Sequence, residues 1–163
     1  MKTYLDNDIV SAIVKDDNAN ESGAIDKVLA AFEAGRLDLV TSDVTREEIE
    51  DYQGRAKTSL ERTLRLLKKV PYIESHKLLG SHSYGDERTW INSPIIEDDP
   101  TVKRLREMGV KPIDAHHLMV AIKSHCDVFL TCDGGILHRS KEIKNVFSIE
   151  PLSPSALCAR EEW

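Results

Sequence analysis

Apolar residues recur along this chain with two periods. Short unbroken runs, Thr3-Tyr4-Leu5, Leu37-Asp38-Leu39-Val40-Thr41 and Val128-Phe129-Leu130-Thr131, predict buried strands, and Val146-Phe147-Ser148-Ile149 predicts another. Between the runs the spacing stretches to that of helices. Ile9, Val10, Ala12 and Ile13 follow the first strand, and Ile25, Val28, Leu29 and Phe32 fall at i, i+3, i+4, i+7 within Ser22 to Glu33, with Gly35 as the stop. Thr45 opens a long helix carrying Ile49, Tyr52, Ala56, Leu60, Leu64 and Leu67 and ending near Pro71. Thr101 to Met108 and Asp114 to Ser124 complete the helical stretches, the latter with Leu118, Ala121 and Ile122 on one face.

Strands that alternate with helices predict an α/β fold, a three-layer α/β/α sandwich around a mostly parallel sheet. The pattern weakens between about residues 73 and 99, where Gly80, Gly85, Ser93-Pro94 and Asp99-Pro100 interrupt it; this is an elaborated connection and not a second domain. One domain over residues 1–150 is therefore expected, with 151–163 as a peripheral C-terminal tail.

Composition narrows the class. The chain has 163 residues, 40% hydrophobic and 31% charged, the make-up of an ordinary globular domain. No apolar run reaches the roughly 18 residues of a membrane span, and no basic-then-apolar leader opens the sequence. Cys126, Cys132 and Cys158 are odd in number and form no CxxC, which fits a reducing cytoplasm and neither a disulfide framework nor a zinc ribbon. A formal net charge of −6 disfavours binding nucleic acid through a broad basic surface, although carboxylates gathered around a cation would account for part of it.

Most of the 28 acidic residues are solvated surface charge, but four fall where a parallel sheet places its ligands, beyond the carboxyl ends of strands. Asp6 follows the first strand, Glu48 lies in the first turn of the helix after the second, Asp114 begins the helix before the third, and Asp133 follows that third strand. Each also has a structural reading: Asp6 as a cap or turn residue, Glu48 as partner of Thr45 in a capping box, Asp114 as an N-cap, Asp133-Gly134-Gly135 as a turn. Taken jointly they point to a self-repelling cluster that a hard divalent ion such as Mg²⁺ or Mn²⁺ would neutralise, with hydrolysis at phosphorus as its chemistry.

The segments Tyr4-Leu5-Asp6-Asn7-Asp8-Ile9-Val10, Thr41-Ser42-Asp43-Val44-Thr45-Arg46-Glu47-Glu48-Ile49, and Asp114-Ala115-His116-His117-Leu118 leading to Phe129-Leu130-Thr131-Cys132-Asp133 resemble the PIN domain in order and approximate spacing. The resemblance covers nearly the whole chain, least at residues 73–99. It implies that Asp6, Glu48, Asp114 and Asp133 bind one or two Mg²⁺ or Mn²⁺ ions and cleave single-stranded RNA, with Thr131 supporting the site. Where that family commonly has Asn, this chain has Asp8, which adds a negative charge. A single short domain of this kind resembles the VapC toxins, which implies an antitoxin protein as partner beside the RNA substrate; a homodimer is a further candidate assembly, which the sequence leaves open.

Other residues carry weaker signals. Arg46, Arg104 and Lys111, with Arg106 and Arg139, are candidates to hold RNA phosphates, against the plainer reading of solvated surface charge. His116 and His117 point about 100° apart on a helix, so one is expected to face the core. Cys132 reads as a small buried hydrophobe. Two rival functions start from the same residues. Asp6-Asn7-Asp8-Ile9-Val10 also resembles the opening motif of haloacid dehalogenase-like phosphohydrolases, with Asp6 as nucleophile and Asp8 as acid/base, which leaves Glu48 and Asp114 without a task. A non-catalytic PIN-like binding module is the other, supported mainly by Asp8.

Overall fold

The computed structural model describes residues 1–15, 21–43, 45, 67–74 and 98–163. The long helix expected over 45–67 and most of the connection expected at 73–99 lie outside the described residues. Among the described residues, five parallel strands form one sheet: β1 (Lys2–Leu5), β2 (Asp38–Ser42), β3 (Tyr72–Ile73), β4 (Val128–Leu130) and β5 (Glu150–Leu152), in the order β3-β2-β1-β4-β5. Between them run α1 (Asn7–Lys15), α2 (Ser22–Glu33), α3 (Pro100–Glu107), α4 (Pro112–Lys123), α5 (Gly134–His138) and α6 (Ser140–Phe147), and α7 (Pro154–Arg160) follows β5.

The strands are apolar throughout because both faces of the sheet are covered, and their alternation assigns each side chain to a layer. Tyr4, Val40 and Phe129 face a core shared with Val102 and Leu105 of α3, Leu118 and Met119 of α4, and Ile136 and Ile143 of α5 and α6. Their neighbours Leu5, Leu39 and Leu130 face the opposite core, with Ile9 and Val10 of α1, Val28 and Leu29 of α2, and Leu157 of α7. The three-layer α/β/α sandwich read from the sequence is what the protein adopts, with every described strand pair parallel.

The sheet order sets the location of the site. The chain winds outward from β1 to β2 and β3, then returns to add β4 and β5 on the other side of β1. The switch point therefore lies between β1 and β4, where loops leaving adjacent strands diverge and open a crevice at the carboxyl edge.

Two expectations fail near the C-terminus. Val146 and Phe147, read as a strand with Ser148 and Ile149, instead close α6, which ends at Ser148 in a left-handed conformation with φ 60°. Spacing explains it: Ile143 and Phe147 stand at i, i+4 on the side of the helix packed on the core while Val146 is exposed, a pattern that the apolar run at 146–149 conceals. The true strand, β5, contains Pro151, tolerated because β5 is an edge strand whose central N–H is dispensable. The segment 151–163 is also no peripheral tail. Ser153 caps α7 by accepting from the Ala156 N–H, Leu157 is fully buried, and the chain end returns to α2, where Lys27 Nζ donates to the Trp163 carbonyl at 2.9 Å.

Candidate carboxylate site at the switch point

Asp6 is carried past the end of β1 by one further ladder bond, its N–H donating to Leu130 O at 3.0 Å, so its side chain emerges at the crevice between β1 and β4. The Asn7 N–H donates to Asp6 Oδ1 at 2.8 Å as α1 begins. Asp8, in the first turn of α1, receives the Cys132 N–H at 3.0 Å and so ties α1 to the loop after β4. Thr131 sits between the two carboxylates. Its hydroxyl donates to Asp6 Oδ2 at 2.7 Å, accepts from the Asp133 N–H at 3.0 Å, and has both Asp8 oxygens at 3.2 Å.

A threonine hydroxyl has one proton to give. With that proton on Asp6, the approach of Asp8 to the same oxygen is favourable only if Asp8 itself carries a proton. The electrostatics agree. Burial lifts Asp6 from 3.8 to about 6, and burial together with the neighbouring charge of Asp6 lifts Asp8 from 3.8 to about 7. Near neutrality the pair therefore holds on to a proton.

Asp114 occupies the first turn of α4, and its carboxyl is raised by burial and by the charges of Asp133 and Asp8. The helix begins two residues earlier than the sequence suggests, with Lys111 at the N-cap and Pro112 at the first helical position, so Asp114 is free of capping duty. Asp133 does cap: Oδ1 accepts from the Ile136 N–H at 2.9 Å to start α5, which replaces the expected turn. Burial alone would raise Asp133, but the Ile136 N–H and the Lys111 ammonium outweigh it and hold the group below its ordinary range.

Asp6, Asp8, Asp114, Thr131 and Asp133 are thus brought to one edge of the sheet. Glu48 and Arg46 lie outside the described residues. Lys111 stands 3.5 Å from Asp133 Oδ2, whereas Arg104 pairs with Glu107 at 2.9 Å along the exposed side of α3. Arg139 is structural, its Nε donating to Met108 O at 2.7 Å and its NH1 to Gly135 O at 2.8 Å. Among the described residues, no three Asp, Glu, His or Cys side chains lie close enough together to share a metal ion.

Behind the site, both histidines are buried, where one was expected to be. Burial is unbroken from Ala115 to Ala121, so α4 has no solvent face there for His116 to use. His117 Nδ1 meets the Tyr4 hydroxyl at 2.8 Å, while His116 Nε2 has no hydrogen-bond partner among the described residues, and burial followed by the neighbouring His117 lowers His116 to about 4. Both rings belong to the core behind the crevice. Cys132 is half-buried and its thiol is pushed up to about 12 by burial and by Asp8, which leaves it protonated and inert as a nucleophile. Two contributions had no signal in the sequence: the Cys132 N–H as a donor to Asp8, since backbone groups are silent in a residue pattern, and Lys111 as a partner of Asp133.

No protein-family model, curated protein or solved structure matches the chain.

Proposed function

We propose that this chain is a divalent-metal-dependent endoribonuclease that cleaves single-stranded RNA at the switch-point carboxylates. The observation that carries the reading is the convergence of Asp6, Asp8, Asp114 and Asp133, from three separate parts of the chain, on one sheet edge, where burial and then neighbouring carboxylates raise Asp6, Asp8 and Asp114 while Lys111 and the Ile136 N–H hold Asp133 low. An all-carboxylate donor set that repels itself suits a hard cation such as Mg²⁺ or Mn²⁺, and the resemblance to the PIN domain points the same way. No three of the described side chains are grouped as metal ligands are, so one or two of Asp6, Asp114 and Asp133 would hold the ion, completed by water and by Glu48. When bound, the ion supplies a water of lowered pKa and offsets charge on the phosphorane-like transition state.

The protein's own groups have distinct tasks under this reading. The Thr131 hydroxyl fixes the Asp6 carboxylate, and the Cys132 N–H fixes Asp8. In the metal-free protein Asp8, raised to about 7 by burial and by Asp6, holds a proton beside that edge. No described helix is long and apolar enough to cross a membrane; the cytoplasm is the proposed setting, on the absence of paired cysteine spacing in the sequence. The toxin half of a toxin–antitoxin pair is the biological role that the same resemblance suggests, with the antitoxin covering this crevice.

One observation favours a second reading. Asp6 and Asp8, which meet at one Thr131 hydroxyl with Asp8 retaining a proton, also suit a phosphohydrolase with Asp6 as nucleophile and Asp8 as acid. Assays of the purified protein against labelled single-stranded RNA and against a generic phosphomonoester, each with Mn²⁺ and with EDTA, separate the two. Metal-dependent RNA cleavage with the monoester intact supports the nuclease; turnover of the monoester with RNA intact replaces it with the phosphohydrolase.

A further inference from the structure

Lys111 is the N-cap residue of α4, three positions before Asp114, and its ammonium lies 3.5 Å from Asp133 Oδ2, linking the start of α4 to the loop after β4. The Lys111 side chain is 73% exposed and that of Asp133 26%. An ion pair so open to water contributes little to folding. Asp133 is already fixed by its capping bond to Ile136 and does not need the lysine to hold its place.

We propose that Lys111 is a positioning residue with two states: counter-cation of Asp133 while no divalent ion is bound, and phosphate-holding group once an ion has taken its place. The inference rests on the metallonuclease reading above. A lysine ammonium and a divalent ion compete for the same carboxylate oxygen, because two cations on one oxygen repel at short range. The flexible four-carbon stem lets the displaced ammonium move without backbone change, and a compact point charge at the edge of the crevice suits a phosphate oxygen of an incoming RNA strand. The same residue would thus lower the cost of the metal-free acidic cluster and raise affinity for the anionic substrate.

The test is calorimetric titration of the full chain with Mn²⁺ at low ionic strength, for the wild type, Lys111→Gln and Lys111→Arg, followed by cleavage kinetics on single-stranded RNA. Removing the competing charge should tighten Mn²⁺ binding about two- to fivefold in the Gln variant, while Arg stays near wild type. The gain should vanish in about 0.5 M KCl, where exposed charges are screened. In cleavage, Lys111→Gln should raise KM with kcat little changed, a split that a merely structural lysine would not produce. Mn²⁺ affinity that is unchanged or weaker in the Gln variant overturns the inference. No Mn²⁺ binding by any of the three proteins overturns the metallonuclease reading, and this role with it.

Discussion

Replacing Asp8 by Asn should stabilise the metal-free protein, and by an amount that grows with pH. Asp8 has a folded pKa of about 7 against an ordinary 3.8, raised by burial and by Asp6. A raised carboxyl means that the folded state binds more protons than the unfolded state between those values, so stability falls as pH climbs through the window and is lowest above pH 7. The interval from 3.8 to about 7, at about 1.36 kcal/mol per pH unit, bounds the penalty at about 4 kcal/mol. Asp8 shares that penalty with Asp6 and is partly reached by water, which reduces the recoverable part to about 2–3 kcal/mol. The amide keeps the useful contacts: its oxygen accepts from the Cys132 N–H, and its NH₂ supplies the donor that the Thr131 hydroxyl cannot give twice. Urea unfolding in EDTA at pH 5, 6.5 and 8 measures the effect. The variant should match wild type within about 1 kcal/mol at pH 5 and exceed it by about 2 kcal/mol or more at pH 8. A variant that is less stable at pH 8, or a difference that ignores pH, refutes the reasoning.

Three further outcomes follow from the same structure. Mn²⁺ at about 100 times its dissociation constant should stabilise wild type by about 2.7 kcal/mol at pH 8, read as a rise in Tm, and should act less on Asp114→Asn. Thr131→Val removes the donor to Asp6 and the acceptor of the Asp133 N–H, and should cost about 1–3 kcal/mol in denaturant titration, largely restored by Thr131→Ser. Leu157→Ala should cost about 2–5 kcal/mol, because α7 is part of the core; a loss under about 0.5 kcal/mol would return the C-terminal segment to the periphery.

How much of this was legible in the sequence depends on what carries each feature. Strands buried on both faces announce themselves as short apolar runs, and α2 was readable to its ends because Ile25, Val28 and Leu29 keep one stripe and Gly35, at φ 69°, closes it. β5 was not, because Pro151 argues against a strand until the edge position is known. Asp6, Asp114 and Asp133 could be selected by their place at strand and helix ends, since a parallel sheet directs such positions to one edge. The interaction between Asp6 and Asp8 could not be so read, since it depends on Thr131 offering a single proton to two carboxylates, a matter of angstroms and not of spacing. The roles of the cations were equally hidden: Arg104, Lys111 and Arg139 look alike as letters, yet one pairs along its own helix, one faces Asp133, and one binds backbone carbonyls.

The central claim is that the aspartates at the switch point cut RNA with a divalent ion. Its most direct test is the cleavage of labelled single-stranded RNA by the full chain in Mn²⁺ and in EDTA, beside Asp114→Asn, a partly exposed position whose replacement should leave the fold intact by circular dichroism. Cleavage that needs Mn²⁺ and falls by about 100-fold or more in a folded Asp114→Asn protein is the predicted result. Cleavage that persists in EDTA, or is undiminished in that variant, would contradict the account.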